Sequence, residues 1–291
     1  MNNAARPWRS VIYIPGSKER AIDKARGLPV DAIIFDLEDA VAIEGKAEAR
    51  RLVAQTLEQG GFGRRATMVR INGFATPWGE DDLEAVASSG PQAVLLPKVN
   101  RAEDVAALAE RLDQSSACAE TAIWAMIETP EGVLNAAEIA RAPRMAGFVI
   151  GTNDLAKELG CRAGADRMPL MGALQACLLA ARAAGIVCVD GVYNAFRDEE
   201  GLRAEAGQGR DLGMDGKSLI HPAQIEIANA TFAPDAGELD LARRQIEAFE
   251  KASAEGQGIA VVDGQIVENL HVATARAALA RADIIKELEN A

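Results

Sequence analysis

Two acids and an arginine stand at the ends of short apolar runs in this sequence, where they could act together on a small anionic ligand. Glu128 follows the run AIWAMI, Asp154 comes shortly after GFVIG, and Arg70 lies within TMVRI. Two carboxylates, with water and substrate at the remaining positions, are how proteins usually hold Mg²⁺, because this ion loses its water reluctantly. An arginine beside them supplies a planar fork of donors for a carboxylate or an oxyanion. The residue types therefore predict a metal-assisted site, with Glu128 and Asp154 as ligands and Arg70 as the clamp on negative charge.

Each of these residues also has a purely structural interpretation. Glu128 could form an ion pair with Arg70 or Lys98, and Asp154 could cap the helix that is predicted to follow it. His221, which precedes a proline, fits a helix entry better than a catalytic base. The convergence of an arginine and two acids at one end of a sheet favours the functional interpretation. Other polar residues at predicted strand ends are Asp36, Glu38, Asp39, Asn72, Asn153 and Asp190.

These side chains need a sheet whose strands all end on one side, and the sequence has the pattern of such a sheet. Nearly continuous apolar runs suit parallel strands that are buried on both faces. Eight β/α units in about 230 residues match a TIM barrel, whose active sites lie at the carboxyl ends of the strands. An open doubly wound sheet is the alternative, but the PGSKER segment after the first run lacks the GxGxxG turn. The eight runs are SVIYI (10–14), AIIFDL (32–37), TMVRI (67–71), AVLLPK (93–98), AIWAMI (122–127), GFVIG (147–151), IVCVD (186–190) and KSLIH (217–221).

Capping signals mark several of the helices that connect these runs. Ser17 is expected to cap the helix KERAIDKAR, and Thr129 to cap a helix that begins at Pro130. Gly185 is expected to end the long helix MGALQACLLAARAA. These signals support helices between the strands, as the barrel requires.

The pattern changes after Pro234, which divides the chain into a predicted barrel domain, residues 1–234, and a C-terminal extension, residues 235–291. The extension has the pattern of a long helix, a hairpin that turns on an Asp-Gly pair, and a final helix. An acid, Glu268, lies where the hairpin meets the final helix, close to His271, one of two histidines in the chain. A helix with an apolar face must bury it, so we expect the extension to pack against the barrel or a neighbouring subunit.

Composition disfavours several classes of partner. The chain has 291 residues, of which 49% are hydrophobic and 25% charged, as is typical of a globular protein. A formal net charge of −12 disfavours binding to nucleic-acid backbones and to anionic membranes, because both favour clustered Lys and Arg.

The cysteines and the lack of targeting segments predict the location of the protein. The four cysteines lack CxxC spacing, so free thiols in a reducing compartment are expected. Without a secretory signal or a long apolar stretch, the sequence predicts a cytoplasmic protein.

Several segments of the chain resemble, in order and spacing, the signatures of one enzyme family. They are RSVIYIPGSKER, IIFDLEDAV, MVRING, LLPKV, MIETPEGVLNAAEIA, GTNDLAKELG and LIHPAQIEIANATFAP. The resemblance is to the CitE-like CoA-ester lyases of the HpcH/HpaI aldolase/citrate lyase β superfamily. It implies a TIM barrel with a C-terminal lid, Mg²⁺ that Mn²⁺ can replace, and a CoA thioester as substrate. It also implies a homotrimer or homohexamer in which the lid crosses to a neighbouring subunit.

The family's motifs, matched position by position, imply roles for individual residues of this chain. Glu128 and Asp154 correspond to metal ligands, and Arg70 to the residue that holds the substrate oxygen. The other residues to which the resemblance gives a role are Asp39, a catalytic acid beside the ion, Arg20 and Lys24 at the CoA phosphates, and Gly151 and Asn153 at the substrate.

The acid between the hairpin and the final helix completes the set implied by the resemblance. Lyases of this family read GxMVDxP and use that Asp as an acid/base carried by the lid, whereas this chain reads GQIVENL, which places Glu268 at the position. This glutamate and the segment DGVYNAFRDEEGLRAE resemble the malyl-CoA thioesterase branch of the family. The predicted reaction is therefore Mg²⁺-dependent hydrolysis of (3S)-malyl-CoA to malate and CoA.

Three alternatives to hydrolysis remain open. A retro-Claisen lyase acting on malyl-, β-methylmalyl- or citramalyl-CoA would use the same metal and clamp with a different base. A class II pyruvate-type aldolase would share the barrel and the acid pair, but the histidine base expected near the second strand is missing from DLEDAV. The third alternative is a subunit that binds CoA esters without turnover of its own.

Overall fold

A computed structural model describes residues 6–289, which fall into two compact units. One unit comprises residues 8–232, and the other comprises residues 233–289 together with Arg6 and Pro7. Each unit buries a hydrophobic core of its own.

The larger unit is a closed barrel of eight parallel strands, which confirms the predicted TIM barrel. Each strand pairs with its neighbours in chain order, and the first strand pairs with the eighth to close the cylinder. Closure excludes the open doubly wound sheet. The strands are β1 Ser10–Pro15, β2 Ala32–Asp36, β3 Ala66–Arg70, β4 Ala93–Leu96, β5 Ala122–Ile127, β6 Met145–Ile150, β7 Val187–Asp190 and β8 Gly216–Leu219.

Helices connect the strands of the barrel. Thr129 accepts a hydrogen bond from the Gly132 N–H at 3.0 Å, so the predicted cap before Pro130 is confirmed. The helix from Met171 ends at Gly185, whose φ of 70° is left-handed, again as predicted. No helix within residues 6–289 has the length and apolar composition of a membrane span. The helices of this unit are α1 Glu19–Ala25, α2 Lys46–Gln59, α3 Gly79–Ala87, α4 Ala102–Leu112, α5 Pro130–Leu134, α6 Ala136–Ile139, α7 Thr152–Leu159, α8 Met171–Ala184, α9 Glu199–Leu212 and α10 Ile225–Phe232, with 3₁₀ turns at Ile43–Gly45, Ser116–Cys118, Met168–Leu170 and Pro222–Gln224.

The predicted cap at Ser17 is wrong. Helix α1 begins at Glu19, its N-cap is Lys18, and no side chain accepts a hydrogen bond there. The Lys18 N–H donates to the Pro15 carbonyl at 3.0 Å, so a backbone turn leads from β1 into the helix. That turn places Lys18, one residue later than Ser17, at the helix start.

Alternation along the strands divides the apolar side chains between two cores. The inner core fills the barrel, where the Trp8 and Trp124 rings lie 4.7 Å apart, and includes Val11, Ile34, Met68, Leu95, Val149 and Val189. Side chains of the opposite parity pack between strands and helices, among them Ile12, Phe35 and Phe148. Because apolar residues fill the barrel, a ligand cavity can form only near the strand ends.

The smaller unit has the predicted helix, hairpin and helix. Asp235 and Glu238 form a capping box at the start of the first helix. The hairpin turns at Asp263 and Gly264, whose φ values of 50° and 76° suit a two-residue turn. The core of this unit includes Phe249, Val262, Val267 and Val272. The elements are α11 Ala236–Ala254, β9 Ala260–Val262, β10 Gln265–Val267 and α12 Asn269–Glu289.

Candidate active site at the carboxyl ends of the strands

A cavity of about 330 Å³ opens at the carboxyl ends of the barrel strands, and we call it the strand-end cavity. Most of the residues predicted to act together line it, namely Asp39, Arg70, Glu128, Gly151, Asn153 and Asp154. The arc from β6 to β8 contributes a less charged wall that includes Ile150, Val192, Asn194, Ser218 and Ile220. The cavity therefore has a charged side and a largely uncharged side.

Glu128 lies at the base of the charged side and is buried. Its Oε1 accepts a hydrogen bond from the Lys98 N–H at 2.8 Å. Its Oε2 has no hydrogen-bond partner among the described residues, and the side chain forms no ion pair with Arg70 or Lys98. Burial, followed by the negative charges of Glu38 and Asp154, raises the pKa of Glu128 to about 8, although the Lys98 N–H and Arg70 oppose the shift. Neighbouring protein groups therefore offset the negative charge of the Glu128 carboxylate only weakly.

Asp154 is the second carboxylate of the cavity that pairs with no cationic side chain among the described residues. It lies in the first turn of α7, whose N-cap is Gly151, and no side chain caps that helix. Its carboxylate makes no hydrogen bond or ion pair with a residue in 6–289. The helix-cap interpretation of Asp154 and the ion-pair interpretation of Glu128 are therefore both wrong.

Gly151 provides the space that the Glu128 side chain occupies. A Cβ atom at Gly151 would lie 2.4 Å from the Glu128 Cβ and 2.6 Å from its Oε2, distances at which atoms must move apart. The φ of Gly151 is −91°, which any residue can adopt, so the requirement for glycine is steric. The glycine after β6 thus fixes the position of the carboxylate that follows β5.

Arg70 is anchored by a neighbouring acid that the sequence did not assign to it. Its Nε and Nη2 donate to the two carboxylate oxygens of Asp36 at 2.7 and 2.6 Å. Its Nη1 lies 2.9 Å from the Glu38 Oε2, yet this oxygen makes no well-aligned hydrogen bond, so we interpret the contact as electrostatic. Asp39 is 4.0 Å away with a side chain that is 63% exposed. The guanidinium is therefore oriented by Asp36, and Nη1 is its least constrained nitrogen.

Tyr13 is a cavity residue that the sequence analysis missed. Its ring lies 4.9 Å from the Arg70 Cζ, and its hydroxyl has no hydrogen-bond partner within residues 6–289. Burial raises the pKa of Tyr13, with Arg70 opposing the shift, so the hydroxyl stays protonated and can donate a hydrogen bond to a ligand. The alternation of β1 is the signal that would have found it, because Tyr13 has the parity of the inward-facing Val11.

The chemistry of the two unpaired carboxylates fits a divalent cation. Glu128 and Asp154 offer hard oxygen donors, and neither pairs with a guanidinium or ammonium group from residues 6–289. Among residues 6–289, no three His, Cys, Asp or Glu side chains converge enough to cage a metal alone. Two protein ligands with water and substrate in the other positions is the arrangement that Mg²⁺ commonly takes.

Several residues considered from the sequence lie outside the strand-end cavity. Arg20 and Lys24 are exposed on α1 and do not line it. Asp190, expected among the polar strand ends, points away from the cavity and is buried against Lys217. This correction follows from strand alternation, since the preceding residue of β7 faces the inner core. His221 caps the 3₁₀ turn by accepting from the backbone at Nδ1, which confirms the helix-entry interpretation.

Glu268 belongs to the smaller unit, between β10 and α12, and is exposed. Its backbone N–H donates to the His271 Nδ1 at 3.0 Å, so this histidine acts as a cap at the start of the final helix. The Glu268 carboxylate has no partner among the described residues.

A comparison with protein families identifies the group to which this barrel belongs. The model of the HpcH/HpaI aldolase/citrate lyase family matches residues 9–222, which span the strands and helices of the barrel almost completely. The chain belongs to this family. The HpcH/HpaI resemblance drawn from the sequence motifs is therefore confirmed.

Relatives of known name match nearly the whole chain. A (3S)-malyl-CoA thioesterase of Cereibacter sphaeroides is 60% identical over 98% of this chain and 98% of its own length. The citrate lyase subunit beta of Escherichia coli is 38% identical over 96% of this chain and 94% of its own. The crystal structure of CitE from Mycobacterium tuberculosis in complex with magnesium, acetoacetate and coenzyme A has a TM-score of 0.79 and 31% identity, covering 97% of this chain and 99% of that chain.

Proposed function

We propose that this protein is a Mg²⁺-dependent hydrolase that converts (3S)-malyl-CoA to malate and CoA. The observation that carries the proposal is that two carboxylates, Glu128 and Asp154, lie beside Arg70 in one cavity. Neither forms an ion pair within residues 6–289. Its similarity to a (3S)-malyl-CoA thioesterase, at 60% identity, supports the choice of substrate and reaction. Similarity to a CitE crystallised with magnesium and coenzyme A supports the metal and the CoA ester.

The reaction requires the oxygen of a water molecule to bond to the thioester carbonyl carbon while the C–S bond breaks. The CoA sulfur leaves with the electron pair and takes up a proton, and malate keeps the water oxygen. Mg²⁺ held by Glu128 and Asp154 would polarise a substrate oxygen and offset developing negative charge. Arg70, oriented by Asp36, and the Tyr13 hydroxyl are placed to donate to substrate oxygens on the charged side of the cavity.

Glu268 is our candidate for the base that takes a proton from the attacking water. Its carboxylate is exposed and has no partner among residues 6–289, so it is free to accept a proton. The role requires the smaller unit of this chain, or of a neighbouring chain, to reach the strand-end cavity. We assign Asp39 the role of an acid beside the metal ion. We assign Arg20 and Lys24 to the CoA phosphates, because their exposed cationic groups suit this role.

A retro-Claisen lyase is the second candidate, supported by the 38% identity to a citrate lyase subunit beta. The two reactions separate by their products. The pure protein, incubated with (3S)-malyl-CoA and Mg²⁺, should release malate and free CoA. Accumulation of glyoxylate and acetyl-CoA instead would establish the lyase and refute the hydrolase.

We also infer a cytoplasmic location and a homotrimer or homohexamer. All four cysteines are free, and three are buried, as expected of a protein in a reducing compartment. Light scattering after gel filtration would test the assembly, and a monomeric mass at micromolar concentration would contradict it.

A further inference from the structure

A second cavity of about 420 Å³ adjoins the strand-end cavity, and we call it the side cavity. It lies between α7, the segment 163–170 and the loop that follows β7. Four residues line both cavities, namely Thr152, Asn153, Val192 and Asn194. These four residues therefore form the wall that separates the two spaces.

Two amide side chains close this wall by hydrogen bonding to each other. The Asn194 Nδ2 donates to the Asn153 Oδ1 at 2.8 Å, and the Asn153 Nδ2 donates to the Asn194 Oδ1 at 3.2 Å. Asn153 lies in the first turn of α7, which follows β6, and Asn194 lies in the loop after β7. The pair thus bridges the start of a helix and a loop that follow neighbouring strands.

Contacts near the bridge hold the loop after β7 against the start of α7. A Cβ at Gly191 would lie 2.4 Å from the Thr152 Oγ1, so the Gly191 backbone packs closely against the Thr152 side chain. The Lys217 Nζ donates to the Gly191 carbonyl at 2.7 Å, and the Gln224 Nε2 donates to the Tyr193 carbonyl at 2.8 Å. The loop is therefore anchored at two residues that shortly precede Asn194.

The side cavity offers little to a charged ligand, because its charged side chains, Arg167 and Glu205, already have partners. Arg167 is buried in an ion pair with Asp190 at 2.8 Å, and the Tyr193 hydroxyl donates to Asp198 at 2.6 Å. Much of the remaining lining is alanine, with Val192 and leucine. A small apolar substituent fits this lining better than a carboxylate or a phosphate.

We propose that the Asn153–Asn194 pair determines acyl specificity, by keeping a methyl substituent of the acyl chain out of the side cavity. The inference rests on the proposed function, in which the acyl group is anchored at the charged side of the strand-end cavity. An acyl group held there extends toward the β6 to β8 arc, where the amide pair stands. With the hydrogen-bonded pair in place, the strand-end cavity fits the unbranched malyl group. Without the pair, the side cavity becomes accessible and can accept the methyl substituent of a methylated acyl group.

The test compares Asn194→Ala with the parent on (3S)-malyl-CoA and on its methylated relatives, β-methylmalyl-CoA and citramalyl-CoA. The ratio of kcat/KM for a methylated thioester to that for malyl-CoA should rise by about 10-fold or more, the usual effect of one methyl group in a pocket. Asn153→Ala should raise the ratio similarly. The double variant should resemble either single variant, because all three lack the same bridge. A change below twofold in the single variants would overturn the inference.

Asn135→Ala is the matched control, because this amide donates to the Asn100 carbonyl at 2.9 Å and lines neither cavity. It should leave the ratio unchanged. A parallel titration with free malate and free citramalate, in the presence of Mg²⁺, separates this inference from the proposed function. If the parent lacks turnover of malyl-CoA, the proposed function fails, yet Asn194→Ala should still shift the Kd ratio toward citramalate. No shift in that ratio, or no binding of either acid to the parent, would refute the role of the bridge.

Discussion

Replacing Gly151 with alanine should damage the site without removing any functional group from it. The new Cβ would lie 2.4 Å from the Glu128 Cβ, whereas ordinary contacts begin at 3.4 Å, so Glu128 must move. The shortfall is 3.4 minus 2.4, or roughly 1 Å, and a displacement of that size costs about 100-fold in rate. We therefore expect kcat/KM for the CoA ester to fall by about two orders of magnitude and the Kd for Mg²⁺ to rise.

The control for Gly151→Ala is Gly207→Ala in helix α9. An added Cβ at Gly207 meets no atom within 4 Å, and alanine is favoured over glycine in a helix by up to about 1 kcal/mol. This control should keep parental turnover and Mg²⁺ affinity, with an equal or higher melting temperature. Calorimetric titration with Mg²⁺ and steady-state kinetics measure both variants. Parental metal affinity and turnover in Gly151→Ala would refute the argument that this glycine positions Glu128.

Three further predictions follow from the charged residues. The Glu128→Gln and Asp154→Asn variants should each lose Mg²⁺ binding and turnover, whereas a parent enzyme indifferent to EDTA would contradict the metal assignment. Glu268→Ala should remove turnover while Mg²⁺ and CoA-ester affinities stay within about twofold of the parent; full activity would limit Glu268 to a structural role. Asp190→Asn should destabilise the fold by about 3 to 5 kcal/mol in urea unfolding at pH 7, because it leaves two buried cations, Lys217 and Arg167, to share the single carboxylate of Glu205. Burial opposes ionisation of Asp190, but Lys217 lowers its pKa overall, so the ion pair stabilises above pH ~4 and its contribution disappears as pH falls further. A destabilisation that persists unchanged at pH 3 would contradict this origin.

The strand-end carboxylates were predictable because parallel strands of a closed barrel must end on one side. Glu128 and Asp154 follow consecutive strands, so their convergence required only the fold class and the chain order. Asp190 was assigned to the same end without regard to parity. Its neighbour Val189 packs inside the barrel, and alternation therefore turns Asp190 outward toward Lys217.

The contacts that orient the site were not predictable from local patterns. Arg70 and Asp36 are 34 positions apart in sequence, and their pairing depends on the register of β2 and β3, which sets Asp36 opposite Arg70. Asn194 lies within the DGVYNAFRDEEGLRAE segment, but no local pattern gives its position, which depends on distant anchors such as Gln224 and Lys217. Such residues become visible only when long-range packing fixes the loop conformations.

The most direct test of the account is the position of a metal ion in crystals of the protein grown with Mn²⁺. Anomalous scattering should reveal one peak at the strand-end cavity, bound to one carboxylate oxygen from each of Glu128 and Asp154 and completed by water. A cavity without a peak, or a peak bound to other residues, would contradict the metal site on which the proposed hydrolysis depends.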